Sequence, residues 1–162
     1  MMMRSLTIGL LWFSAIGCGL LAGVYFAFSA FVMTALGRID QMRGVAAMKE
    51  INSVILKSPF MPIFLATTLT GLALAILGIV RWGAPSAVPM LAGGAIYVLG
   101  MFVVTMLFNV PLNNAIAAVD PASAEAAGVW ARYLHDWVFW NHVRTVASTA
   151  AFALFIFAIS AR

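Results

Sequence analysis

Trp137 to Arg144 read W-V-F-W-N-H-V-R and stand at the entrance to the last apolar segment of the chain. The stretch puts two tryptophans, an asparagine, a histidine and an arginine where the chain must leave water for lipid. Read as one helix, Trp130, Tyr133, Trp137, Asn141, Arg144 and Ser148 follow spacings of three and four and share a face. His135 and His142, seven apart, share another face, rotated by roughly 120° at ~100° per residue. The element therefore presents two chemically different faces, and the rest of the chain must decide which one meets a ligand.

Working outward, the composition fixes the solvent. Of 162 residues, 64% are apolar and only 9% are charged, nine basic and five acidic. So few charges cannot cover a soluble domain of this length, and the chain is expected to be all-α, an integral membrane four-helix bundle. The net charge of +4 comes from basic residues scattered singly, with no run that would suit nucleic acid. The single cysteine, Cys18, excludes an internal disulfide and sits between Gly17 and Gly19 as a small packing residue. A secretory signal peptide is not expected, since the first apolar run is much too long for one.

Charge-free runs and turn residues place the spans at about 5–36, 60–80, 88–108 and 138–161, within a single membrane domain over 1–162. In the first, Gly19 and Gly23 form a small-xxx-small pair, as do Ser14 and Cys18; such faces admit close helix approach within the bundle or between copies. Tyr25, Ser29 and Thr34 make its second half more polar. The first connection, Arg38 to Ser58, repeats Ile39, Met42, Ala46, Ile51, Val54 and Ile55 among charges. It predicts an amphipathic helix lying on the membrane surface or capping the bundle. In the second span, Thr67, Thr68 and Thr70 can bond back to their own helix carbonyls. Asn109-Val110-Pro111-Leu112-Asn113-Asn114 closes the third span. Pro111 lacks an N–H and clashes with the carbonyl of Leu107, so a kink or stop is expected there. The asparagines either satisfy carbonyls freed at that point or line a polar pocket. Ala124 to Asp136 gives a second interfacial helix, in the third connection.

Arginine and histidine inside a span are costly by several kcal/mol even on gentle insertion scales, of about 2.5–3.5 for arginine. Arg144 is therefore expected to be paired, with Glu50 or Asp136. No metal site is expected. Copper or iron gathered by His135, His142, Glu50 and Asp136 is the alternative, but seven-residue spacing separates the histidines by about 10 Å along a helix. Motifs of hydrolases, ATPases and dinucleotide-binding enzymes are missing from the sequence. Aromatic rings crowding the same membrane face as asparagine amides and a cation suit a flat hydrophobic aromatic ligand bearing phenol or keto groups.

Four blocks carry a resemblance: G-V-Y-F-A-F-S-x-F-V-M from Gly23 to Met33, A-A-M-x-x-I-N from Ala46 to Asn52, N-V-P-L-N from Asn109 to Asn113, and W-x-x-Y-L-x-x-W-x-x-W-N-H-V-R from Trp130 to Arg144. In this order they resemble the small four-helix membrane proteins of the anthrone oxygenase family, over nearly the whole chain. The resemblance implies O₂-dependent oxidation of an anthrone- or quinol-like aromatic; no cofactor is expected, because the acidic benzylic position of an anthrone allows a cofactor-free mechanism. On this expectation His142, Arg144, Asn141 and Asn109 are catalytic. His142 would be the base that forms a carbanion, and Arg144 with the amides would hold the enolate oxygen. Asn113, Trp137, Tyr133, Trp140, Glu50 and Asn52 would bind substrate. The alternative is a non-enzymatic membrane protein that binds a quinone or lipid, or assembles with a partner. The expected partners are a small hydrophobic aromatic ligand and the lipid bilayer, with no nucleic acid; a homo-oligomer is compatible, and the expected location is the bacterial inner membrane.

Overall fold

A computed structural model describes residues 2–161 and is helical throughout, without strands among the described residues. Four helices are long and apolar enough to cross a membrane: α1 (Arg4–Arg38), α3 (Phe60–Val80), α4 (Ala87–Ala118) and α5 (Ala126–Ser160). Between the first two lies α2 (Gln41–Ile55), whose N-cap Asp40 accepts a hydrogen bond from the backbone N–H of Arg43. The long helices pack in a ring, α1 on α3, α3 on α4, α4 on α5 and α5 on α1. Their outer faces carry exposed Leu6, Ile16, Leu69, Ile79 and Val146, which would be untenable in water and are ordinary against lipid. The chain is a helical membrane bundle.

Close helix contact is set by small residues turned inward. A Cβ on Gly94 of α4 would collide with the carbonyl of Gly71 and the Cβ of Ala75 on α3. Gly19 lies against Phe152 of α5, and Ser14 donates to Thr70 on α3. Gly23 has open space beside it. The second of these small-residue faces is thus used inside the bundle.

The four spans differ in length, and that difference creates the site. At 1.5 Å per residue, the 21 residues of α3 reach about 32 Å, close to the ~30 Å hydrocarbon thickness. The 32 to 35 residues of the other three reach roughly 50 Å. Beyond the start of α3 the bundle therefore lacks its fourth wall, and α2 fills the gap. Val45 and Met48 of α2 are fully buried in a cluster with Met33, Ile116, Trp130, Tyr133 and Trp137. A second apolar cluster, built on Leu11, Cys18, Leu21, Phe64, Leu74, Tyr97 and Phe155, fills the half of the bundle where all four spans are present. Of the two sequence readings for this connection, the structure shows the cap.

Two expectations change. The helix expected in the third connection is present, but as the opening of α5 rather than a separate element. Nothing between Ala126 and Val138 interrupts it, and Trp130, Tyr133 and Trp137 all turn inward. Nor does α4 stop at Pro111, for it runs on to Ala118. The residues just before, Thr105–Asn109, are π-helical, and the wider turn with i→i−5 bonding accommodates the proline ring. Further π segments occur at Phe28–Val32 in α1, Val98–Val103 in α4 and Tyr133–Trp137 in α5.

Candidate functional site

The segments Phe28–Val32, Thr105–Asn109 and Tyr133–Trp137 converge where the two apolar clusters meet. A switch from i→i−4 to i→i−5 bonding leaves carbonyls in need of another donor. Side chains supply it. Asn141 Nδ2 donates to the carbonyl of Tyr25 on α1 at 2.8 Å, and Asn109 Nδ2 to that of Trp137 on α5 at 3.1 Å. Thr105 Oγ1 donates to the carbonyl of Met101 in its own helix at 2.7 Å. Asn109 and Asn141 therefore satisfy backbone carbonyls, whereas Asn113 accepts from the Tyr133 hydroxyl and lines a cavity, as the pocket reading of the asparagines had it. The carbonyls that Asn109 and Asn141 satisfy belong to neighbouring helices rather than to the proline turn.

Arg144 lies at the centre of this junction and is only 6% exposed. Its Nη2 donates to Asn141 Oδ1 at 2.7 Å, and Nη1 reaches Thr105 Oγ1 at 3.5 Å. The guanidinium carbon is 4.5 Å from the ring centre of Tyr25 and 5.1 Å from that of Trp137, so the cation rests between two π faces. Asn141 is held in turn by Ser29 Oγ, which accepts from its Nδ2 at 2.8 Å. The guanidinium Nε is buried without a hydrogen-bond partner, and so is the indole Nε1 of Trp137. Among the described residues no carboxylate pairs with this arginine. Asp136 takes Arg132 at 3.2 Å and His135 at 2.7 Å on the outside, and Glu50 is exposed. The expected ion pair is corrected to an amide and two aromatic rings.

Beside the cation lies a cavity of about 150 Å³ that opens where α3 begins. Arg144, Asn141, Thr105, Tyr25 and Trp137 form its charged wall, and Asn52 and Asn113 contribute amides. The remaining lining is apolar and comes from α1, α2, α3 and α4. Asn52 and Asn113 are joined through Tyr133, whose hydroxyl donates to Asn113 Oδ1 at 2.8 Å and accepts from Asn52 Nδ2 at 3.4 Å. Tyr133 is fixed between Trp130 and Trp137, with ring centres 5.9 and 5.4 Å away and nearly parallel planes.

Five residues named from the sequence, His142, Trp140, Glu50, Asn109 and Tyr133, do not themselves line the cavity. His142 is exposed and does not line the cavity. With Asn141 and Arg144 turned inward, a residue one position past the first and two before the second must point outward at ~100° per residue. Trp140 stacks on Phe108 with ring centres 3.7 Å apart, in a separate outer groove that also contains Arg132 and Asp136. Glu50, on α2, is exposed and does not line the cavity. Asn109 is fully buried beside Trp137 but does not line the cavity. Tyr25 and Thr105, missed as site residues, belong to it; the polarity of the second half of the first span was the signal for Tyr25, and Thr105 stood as a single threonine in the third span. His135, His142, Glu50 and Asp136 do not gather, and among the described residues no three His, Cys, Asp or Glu side chains are placed to hold a metal ion.

A family model described as anthrone oxygenase matches residues 52–154. The chain belongs to the anthrone oxygenase family. The matched stretch contains every polar residue of the cavity wall contributed by α2, α4 and α5, from Asn52 to Arg144. Tyr25, Val24 and Phe28 on α1 and the apolar Met48 and Ile51 on α2 lie outside it. No curated protein and no solved structure matches the chain.

Proposed function

We propose that this member of the anthrone oxygenase family takes a hydrophobic anthrone- or quinol-like aromatic from the bilayer and promotes its oxidation by O₂. The supporting observation is a buried arginine whose charge, among the described residues, meets no carboxylate and whose Nε is unpartnered, beside an aromatic cavity. Such a cation favours a ligand whose oxygen is, or becomes, negative. An anthrone gains that charge when a benzylic proton leaves and the carbonyl becomes an enolate oxygen. Arg144 would stabilise this form, as donors do in oxyanion holes. The enolate then gives one electron to O₂, and the resulting radical and superoxide combine to a hydroperoxide. Loss of water from that hydroperoxide yields the quinone, so the substrate is oxidised and one O₂ is consumed. The cavity lining holds no histidine or carboxylate, so the proton would pass to water at the open mouth. This reading needs neither metal nor organic cofactor, and the location proposed with it is the bacterial inner membrane.

The same lack of a base favours a second reading, in which the cavity binds a quinone or lipid without turnover. Oxygen uptake by the purified protein with anthrone separates the two. Turnover in the wild type that falls by ~10²–10³ in Arg144→Met, the loss typical of one oxyanion donor, supports oxidation. Full turnover in a folded Arg144→Met variant, or none in the wild type, overturns it.

A further inference from the structure

The cavity has a second polar end, and its chemistry differs from that of the arginine. Asn113 lies two turns from Thr105 on α4, about 12 Å of rise at 1.5 Å per residue. Tyr133 has one hydroxyl hydrogen and gives it to Asn113 Oδ1; its oxygen accepts from Asn52 Nδ2. Those two bonds fix which face each amide turns to the cavity. Asn113 is left with its Nδ2 hydrogens to donate, and Asn52 with its Oδ1 to accept. The phenol cannot easily turn away, because Tyr133 is 1% exposed and clamped in the stack with Trp130 and Trp137. One donor beside one acceptor is the complement of a hydroxyl group, which accepts and donates through the same oxygen. A bare carbonyl would use only Asn113, and an apolar ring edge would leave both amides unsatisfied.

We infer that Asn52 and Asn113, oriented by Tyr133, form a specificity subsite that reads a ring hydroxyl at the end of the ligand remote from Arg144. The inference rests on the cavity being the aromatic site proposed above, but not on any turnover there. The ligand would be a flat fused-ring aromatic with an oxygen at each end: one carbonyl or enolate oxygen on the cation, one phenolic hydroxyl between the amides. Tyr133 is a positioning residue in this scheme, for it acts through the asparagines.

Binding is read by quenching of tryptophan fluorescence in detergent, with anthraquinone and 2-hydroxyanthraquinone as probes. Two hydrogen bonds of about 0.5–1.5 kcal/mol each predict that the wild type prefers the hydroxylated probe roughly tenfold. The Asn52→Ala/Asn113→Ala double variant should bind both probes alike, losing more affinity for the hydroxylated probe than for anthraquinone. Tyr133→Phe keeps the ring stack and should lower the preference several-fold without changing anthraquinone binding. Equal binding of the two probes by wild type, or a preference that survives in both variants, overturns the subsite. Binding of neither probe by wild type overturns the cavity as an aromatic site and the subsite with it. A wild type that shows the preference yet consumes no oxygen with anthrone leaves the subsite standing and overturns only the oxidation.

Discussion

Replacing Arg144 by methionine removes the charge while keeping most of the side-chain volume, and the structure sets what that should do to the ligand-free protein. Lost are a charge-assisted hydrogen bond to Asn141, about 1.5–3 kcal/mol, and two cation–π contacts, about 1 kcal/mol each. Gained is relief from burying an ion that no carboxylate compensates, a cost of several kcal/mol. The two sums nearly cancel, so the net change should lie within about 2 kcal/mol of zero. For a chain of this length that is an apparent Tm within roughly 6 °C of wild type, read by circular dichroism in detergent. A buried charge held for structure behaves otherwise: breaking its partnership costs about 3–5 kcal/mol. The expected outcome is therefore a folded protein of near-normal stability that has lost turnover and affinity for an anionic or enolisable ligand. A Tm fall of more than about 10 °C would refute the reasoning, because the arginine would then be a structural clamp whose loneliness in the cavity wall is incidental.

Other residues test neighbouring parts of the same argument. His142→Ala should leave anthrone turnover within twofold of wild type, since the ring faces outward; a loss comparable with that of Arg144→Met in oxygen uptake would return the base to this position. Asn141→Ala removes donors to the Tyr25 carbonyl and Ser29 and the acceptor for Arg144. It should cost about 4 kcal/mol, at roughly 1 for each of the two neutral bonds and about 1.5–3 for the charge-assisted one, seen as a lower Tm together with lost activity. Gly94→Ala drives a methyl into the backbone of α3 and should destabilise by about 1–3 kcal/mol. Gly23→Ala, with open space beside it, should be neutral or stabilise by up to about 1 kcal/mol; thermal unfolding of the pair gives the comparison.

The spans were legible because lipid allows so few solutions: charge-free runs bounded by Arg4, Arg38, Arg81 and Arg162 leave little else to read. The inward face of Trp130, Tyr133, Trp137, Asn141, Arg144 and Ser148 was equally plain, and all six are buried. What periodicity could not show was where each helix changes its pitch. The π segments carry no compositional mark, so a kink or stop of α4 is read at Pro111 although the helix continues, and the purpose of Asn109 and Asn141 as donors to neighbouring helices stays hidden. The misreading of His142 had a different cause. Its place on a second face was already in the spacing, and chemical suitability as a base outweighed geometry. Tyr25 was overlooked because a lone tyrosine in an apolar run looks like packing until Arg144 is seen above its ring.

The shortness of α3 also decides from which phase the protein is fed. The cavity mouth lies where that helix starts, beside Val24, Leu56 and Met106, all exposed on the apolar outer surface. A ligand arriving there has first partitioned into the bilayer. Its working concentration is then moles per mole of lipid rather than moles per litre, and adding lipid or detergent at fixed total ligand dilutes it. Apparent KM values for such a protein should rise in proportion to the amphiphile present and become constant only when expressed as a surface fraction. On the proposed oxidation, product released through the same opening would return to the membrane and compete there with substrate in two dimensions.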